Sequence, residues 1–182
     1  WNTMTTTTTF TPPEFWSFKP FFSLQPIAET REKQLRLWKE LILDYCAKSH
    51  IYQINPITFP YFKNESINRQ LSSEGIAAVT QYLVNSRNAE WDDAAHTVLR
   101  IMWKTPEALA LDVYEWASKR EILGTVYTFY ELLSGDEYTD SGFHGSDVVL
   151  FRRALQYLES QRKCKIITGS SPDEDGVKFL AE

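Results

Sequence analysis

The tripeptide Gln81-Tyr82-Leu83 returns 75 residues later as Gln156-Tyr157-Leu158, and the same step carries Thr30 onto Thr105 and Leu41 onto Trp116. A fixed offset of this size constrains the fold more than any single motif does, because it means one structural unit used twice. The apolar periodicity says what the unit contains. Thr30 is placed to cap a helix from Arg31 to about Lys48, in which Leu35, Trp38, Ile42 and Tyr45 recur at three- and four-residue steps. A short proline-bearing stretch and a weak helix near Asn68 lead to a second clear helix from Ser73 to about Ser86, with Ile76, Val79 and Leu83 on its core face. Residues 89–103 then read as strand, Asp92-Asp93 turn and strand.

From Thr105 the order begins again. Thr105-Pro106-Glu107 combines a capping hydroxyl, a proline at the first helical position and a carboxylate near the positive end of the helix dipole. Leu109, Val113, Trp116 and Ala117 form that helix's stripe. A strand at Thr125–Tyr127, a short helix from Thr128 to Ser134 stopped by Gly135, and a helix from Ser146 to Lys163 follow. Lys165–Thr168 and Val177–Phe179 close the chain as a hairpin around GSSPDEDG. Three helices and a terminal hairpin make a winged helix. The expected fold is α+β and mostly α: two tandem winged-helix domains, 27–103 and 104–182, preceded by an extended proline/aromatic N-terminal peptide, 1–26.

Winged helices often bind DNA, but the charge is unfavourable: 24 acidic against 19 basic residues give a net charge of -5. Duplex binding draws its affinity from cations set against phosphates. The helix SEGIAAVTQYLVNSR has one Glu against one Arg, and the following hairpin opens with Glu90, Asp92 and Asp93. The second unit is mixed, since Arg152-Arg153 and Arg162-Lys163 are basic while Asp173-Glu174-Asp175 is acidic. A winged-helix DNA-binding transcription regulator therefore stays as the alternative reading.

Catalytic patterns are poorer still. Cys46 and His50 have a metal-compatible spacing but no third ligand nearby in sequence, so they read as a buried thiol and a helix-end histidine. Asp173-Glu174-Asp175-Gly176 lacks the spacing of a calcium loop, and Gly169-Ser170-Ser171 lacks that of a nucleophile elbow. His144 reads as a loop histidine closing a turn. No catalytic residue, cofactor or metal is expected. Two cysteines give no disulfide framework and suit a reducing compartment, and the first residues lack the charged and apolar regions of a signal peptide.

What remains is TPPEFWSFKPFFSLQP, residues 11–26. Its prolines hold the segment near an extended conformation that loses little entropy on docking, and its aromatics supply anchors. Phe22 and Leu24 are expected to pack on the first domain while Pro12 to Phe21 reaches outward.

These residues carry a resemblance. KPFFSLQP (19–26), TREKQLRLW (30–38), IMWKTPE (101–107), VYEWASKR (113–120), TVYTFYELLSGDEYTDSGFHG (125–145), RRALQYL (152–158) and GVKFL (176–180) are similar to the small, two-winged-helix subunit of ESCRT-II, the endosomal sorting complex required for transport. The resemblance runs from about Phe10 to the C-terminus and is weak between Ile51 and Val79. It implies a non-enzymatic adaptor, two copies of which join one copy each of two larger subunits to sort ubiquitinated cargo into multivesicular bodies. In that family proline-aromatic motifs dock on the larger subunits. They fall here on Pro12, Pro13 and Phe15, and on Pro20, Phe21 and Phe22. The family often has Tyr at the last motif position and a second proline in the second motif, where this chain has Phe15 and Lys19-Pro20. The second winged helix is implied to recruit the nucleating ESCRT-III subunit through a helix of that partner, with Arg152, Arg153 and Lys178 as candidate contacts. The implied location is cytoplasmic, with recruitment to the endosomal membrane only through the complex, and no nucleic acid is implied as a partner.

Overall fold

A computed structural model describes residues 9–182; the first eight residues of the expected 1–26 segment lie outside the described residues. Two compact units part between Trp103 and Lys104.

In the first unit α1 (Ala28–Ser49) starts three residues before the expected Arg31, and Thr30 does not cap it. The approach to the helix is fixed differently. Gln25 donates its backbone N–H to Gln34 Oε1 at 3.0 Å, and its carbonyl accepts from Arg31 Nε at 2.8 Å. These bonds aim the chain into the helix, so no side-chain cap is used. The buried face carries Gln34, Leu35, Trp38, Leu41, Ile42 and Cys46. After β1 (Gln53–Ile54) the weak helix expected near Asn68 is only a 3₁₀ turn, Glu65–Ile67, between β2 (Lys63–Asn64) and β3 (Arg69–Gln70). Asn64 accepts from Ser66 N–H and Asn68 turns left-handed (φ 51°), so local side-chain bonding closes the segment after one turn. α2 (Ser73–Asn85) is capped by Ser72 Oγ, which accepts from Gly75 N–H at 3.1 Å. β4 (Ala89–Trp91) and β5 (Leu99–Ile101) complete an antiparallel sheet ordered β1-β5-β4. Asp93 builds the turn between them, its carboxylate accepting from the N–H groups of Thr97 (2.9 Å) and Val98 (3.0 Å).

The second unit opens with α3 (Pro106–Lys119), where Thr105 Oγ1 accepts from Ala108 N–H at 3.2 Å as its sequence predicts. β6 (Val126–Thr128) leads into α4 (Phe129–Ser134), held by a reciprocal capping box between Thr128 and Glu131. That helix ends at Gly135, which is extended (φ -71°, ψ 150°) where a Cβ would stand 2.5 Å from the Glu131 carbonyl oxygen, so only glycine fits. α5 (Val148–Ser160) packs on α3, and β7 (Cys164–Ile167) and β8 (Gly176–Phe179) form the sheet β6-β8-β7.

Each unit has the winged-helix order, with the 3₁₀ turn Glu65–Ile67 standing in the first where α4 stands in the second. α5 starts and ends 75 residues after α2, and β7 starts 75 after β4. The match of Thr30 with Thr105 has no structural counterpart, because only Thr105 caps a helix.

Candidate functional site

The N-terminal segment is extended at Pro13 (φ -68°, ψ 161°) and then coils into two 3₁₀ turns, Glu14–Ser17 and Lys19–Phe22. It does not reach outward as far as Phe21, and the expectation is corrected there. Phe21 and Phe22 are both buried, and Phe21 stacks on Trp38 with ring centroids 4.2 Å apart. Trp38 Nε1–H and Gln34 Nε2–H both donate to the Phe21 carbonyl, at 3.0 and 2.9 Å. Gln34 Nε2 also donates to the Ser23 carbonyl at 2.8 Å. Further back, Trp16 Nε1–H donates to the Tyr61 carbonyl at 2.9 Å, Asn64 Nδ2–H donates to the Trp16 carbonyl at 3.0 Å, and Phe10 packs edge-on against Tyr45 and Tyr61. The physical reason is the first unit's own architecture. Its 3₁₀ turns supply Phe62 to one edge of Trp38 but leave the α1 stripe incompletely covered, and the segment closes it. Burying a phenylalanine contributes about 1.5 to 3 kcal/mol, enough to offset the cost of about 1 to 2 kcal/mol for fixing one residue's backbone.

Of the six expected docking residues, Pro12, Pro13 and Phe15 are half-buried, Pro20 is exposed, and Phe21 and Phe22 belong to the core. Phe15, Pro20 and Phe21 come together with Phe18 and Leu37 around an apolar hollow of about 330 Å³ on the side of α1. Phe18 belongs to the stretch expected to reach outward but is not one of the six. It is 60% exposed, and it lies between two motifs that drew attention to themselves.

In the second unit the antiparallel register puts Val126, Thr128, Lys165, Ile167, Gly176 and Lys178 on one face of the sheet. The opposite face carries the buried Val177, Phe179 and Cys164. Val126 and Ile167 are substantially exposed and flank Gly176, where a Cβ would meet Val126 Cγ1 at 3.2 Å and Ile167 Cβ at 3.9 Å. An apolar strip with two lysines on its face results. Lys178 thus stands on an outward face. Arg152 instead points into its own domain, paired with the buried Asp175 and stacked over the Phe129 ring at 4.9 Å. Arg153 is half-buried on α5. Asp175 has its carboxyl held below the usual range, first by the Gly169 N–H and then by Arg152.

α2 carries one carboxylate, Glu74, and no cation, which is a poor surface for phosphate. In the adjoining hairpin Arg100 is tied to Asp92 at 3.0 Å. Burial pushes the Cys46 and Cys164 thiols up to about 12, far from a nucleophile's range. His50 terminates α1 in a left-handed conformation, and a ring nitrogen of His144 lies 2.9 Å from the Gly135 carbonyl. Among the described residues no group of three or more His, Cys, Asp and Glu is placed to hold a metal, and no helix is long and apolar enough to cross a membrane.

The family model of the ESCRT-II complex subunit matches residues 15–147. The chain is similar to vacuolar protein-sorting-associated protein 25 of Xenopus laevis, 38% identical over 171 residues that cover 92% of this chain and 97% of the relative. The protein of that name in Arabidopsis thaliana is also 38% identical, covering 93% of this chain and 96% of its own length. The one in Dictyostelium discoideum is 32% identical over 187 residues, covering 93% and 95%. Among solved structures, the VPS25 subunit of the endosomal trafficking complex ESCRT-II superposes with a TM-score of 0.81 at 23% identity, covering 93% of this chain and 98% of that one. A chain of the ESCRT-II complex of VPS22, VPS25 and VPS36 gives 0.75, covering 92% and 98%. A family model over most of the chain, and near full-length relatives 32 to 38% identical to it, agree with the two winged helices: the chain belongs to the ESCRT-II complex subunit family.

Proposed function

We propose that this protein is a non-enzymatic adaptor of an ESCRT-II-type complex in endosomal, multivesicular-body sorting. The observation that carries the reading is identity at 38% over 92% of the chain with a relative named for vacuolar protein sorting. Its partners are two larger subunits of the kind named with VPS25 in the solved complex, VPS22 and VPS36. The protein acts in the cytoplasm and reaches the endosomal membrane through the complex. Docking on the larger subunits is assigned to the N-terminal segment, with Pro12, Pro13, Phe15 and Pro20 meeting the partner while Phe21 and Phe22 hold the segment on α1. The second winged helix recruits the nucleating ESCRT-III subunit. Its outward sheet face, with Val126 and Ile167 as the strip and Lys178 as the cationic edge, suits an apolar helix bearing acidic residues. Arg153 is kept as a further contact of that partner, and Arg152 acts indirectly by holding the wing through Asp175.

The test is affinity capture of the co-expressed larger subunits by the full chain and by a Pro13→Ala, Phe15→Ala variant. Capture by the intact chain and its loss in the variant supports the assignment. Equal capture by both refutes the assignment to the N-terminal segment. The DNA alternative is tested by duplex binding at low salt, where this reading expects none and steeply salt-dependent binding would reinstate that alternative.

A further inference from the structure

We infer that the docking element is not a free peptide but a composite surface, with Phe18 as its exposed contact and the buried Gln34 as the residue that positions it. The inference rests on the docking role proposed above and adds to it. Gln34 lies on the apolar face of α1 and is only 6% exposed, an unusual place for an amide unless every hydrogen-bonding group is used. All are used on one target. Its carbonyl accepts from Gln25 N–H, and its amide donates to the carbonyls of Phe21 and Ser23. Trp38 adds a second donor to Phe21. One side chain thus fixes the backbone on both sides of Phe22.

The consequence reaches Phe18. The turn Lys19–Phe22 is tied back by the Phe21 N–H, which donates to the Phe18 carbonyl at 3.0 Å. Locking Phe21 therefore sets where Phe18 projects. Phe18, Phe15 and Pro20 then line the 330 Å³ hollow with Leu37 and the stem of Lys33 from α1, so the wall belongs partly to the helix. A large apolar side chain left 60% exposed beside an apolar hollow built from motif residues is a knob next to a hole. The occupant is an apolar surface of a larger subunit, because the hollow is continuous with the motif residues Phe15 and Pro20. Preorganisation matters because side chains ordered before binding need not be immobilised on binding, and a clamp that does this for several residues raises affinity about ten- to a hundredfold.

The experiment uses the full chain and, as probe, the two larger ESCRT-II subunits purified as a pair. Affinity is measured by calorimetry for the wild type, Gln34→Leu, Gln34→Glu and Phe18→Ser, alongside amide exchange in the free chain. Gln34→Leu should weaken binding at least about tenfold and speed exchange at Phe21 to Gln25 while α2 and β4–β5 stay protected. Gln34→Glu, which sets a buried carboxylate against the carbonyl oxygens of Phe21 and Ser23, should weaken binding at least as much as Gln34→Leu. Phe18→Ser, a surface change that leaves the fold intact, should weaken binding by a similar factor and leave exchange unchanged. Wild-type affinity in Phe18→Ser overturns the inference, as does Gln34→Leu binding normally with its segment released. If the wild-type chain itself fails to bind, the proposed docking role is refuted and the inference falls with it.

Discussion

Replacing Phe21 by alanine distinguishes an internal anchor from a docking residue. Phe21 is 4% exposed, stacks on Trp38 at 4.2 Å with the rings 12° from parallel, and meets Phe15 edge-on at 4.8 Å. Truncating a buried phenylalanine removes its transfer free energy and leaves a cavity, together about 3 to 5 kcal/mol. The hydrogen bonds from Gln34 and Trp38 run to the Phe21 backbone and survive the substitution, so no polar group is newly orphaned and the lower half of that range is expected. For a unit of this size each kcal/mol lowers the midpoint by about 4 to 8 °C, so the loss exceeds about 10 °C. The assay is thermal unfolding of the full chain, with amide exchange of α1 reporting on the first unit specifically. Phe18→Ala, at a 60% exposed site, should change stability by less than about 0.5 kcal/mol. If Phe21→Ala is as benign as Phe18→Ala, the segment does not pack on α1 and the reasoning fails.

Three further outcomes follow from the same geometry. Thr105→Ala should lower stability by about 1 kcal/mol through loss of its bond to Ala108 N–H, while Thr30→Ala, which caps nothing, should be neutral in the same urea titration; equal effects would contradict the capping assignment. Asp175 has a depressed folded-state pKa, so its stabilisation is full above the unfolded carboxylate value near about 3.9 and is lost as pH falls through the folded one. Asp175→Asn should therefore unfold before the wild type at pH 7, with the gap closing on acidification, whereas a gap unchanged down to about pH 2 would refute the linkage. Cys46 and Cys164, buried with thiols pushed up to about 12, should resist alkylation in the native chain and react fully in denaturant, and rapid native labelling at pH 8 would contradict that burial.

Local chemistry made much of the fold legible. α2, α5 and β7 stand where periodicity and the 75-residue offset put them, and Thr105, Thr128 and Gly135 bound their helices through short-range groups visible in sequence. The start of α1 was not legible, because it is set by a bond across nine residues between Gln25 and Gln34 rather than by a cap. The weak helix near Asn68 failed for the opposite reason, since Asn64 bonds the backbone locally and Asn68 turns left-handed, which leaves no continuing helix.

At the candidate site, the sequence draws attention to the segment but does not show its orientation. Proline and phenylalanine favour docking equally well whether the groove is the chain's own or a partner's. The available signal was Gln34, a lone amide at a core position of the stripe formed by Leu35, Trp38 and Ile42, which demands hydrogen-bond partners from outside the helix. On the second unit, Lys178 was named without the sheet register that shows which apolar neighbours share its face. In sequence Arg152 resembles a surface cation, because its partner, Asp175, lies 23 residues away on the far side of a turn.

The most direct test is native mass determination after co-expression of the full chain with the two larger ESCRT-II subunits. The account predicts a stable assembly holding two copies of this chain, which disappears when Pro13, Phe15 and Phe18 are replaced together by serine. Recovery of the larger subunits without this chain, or an assembly indifferent to those substitutions, would contradict it.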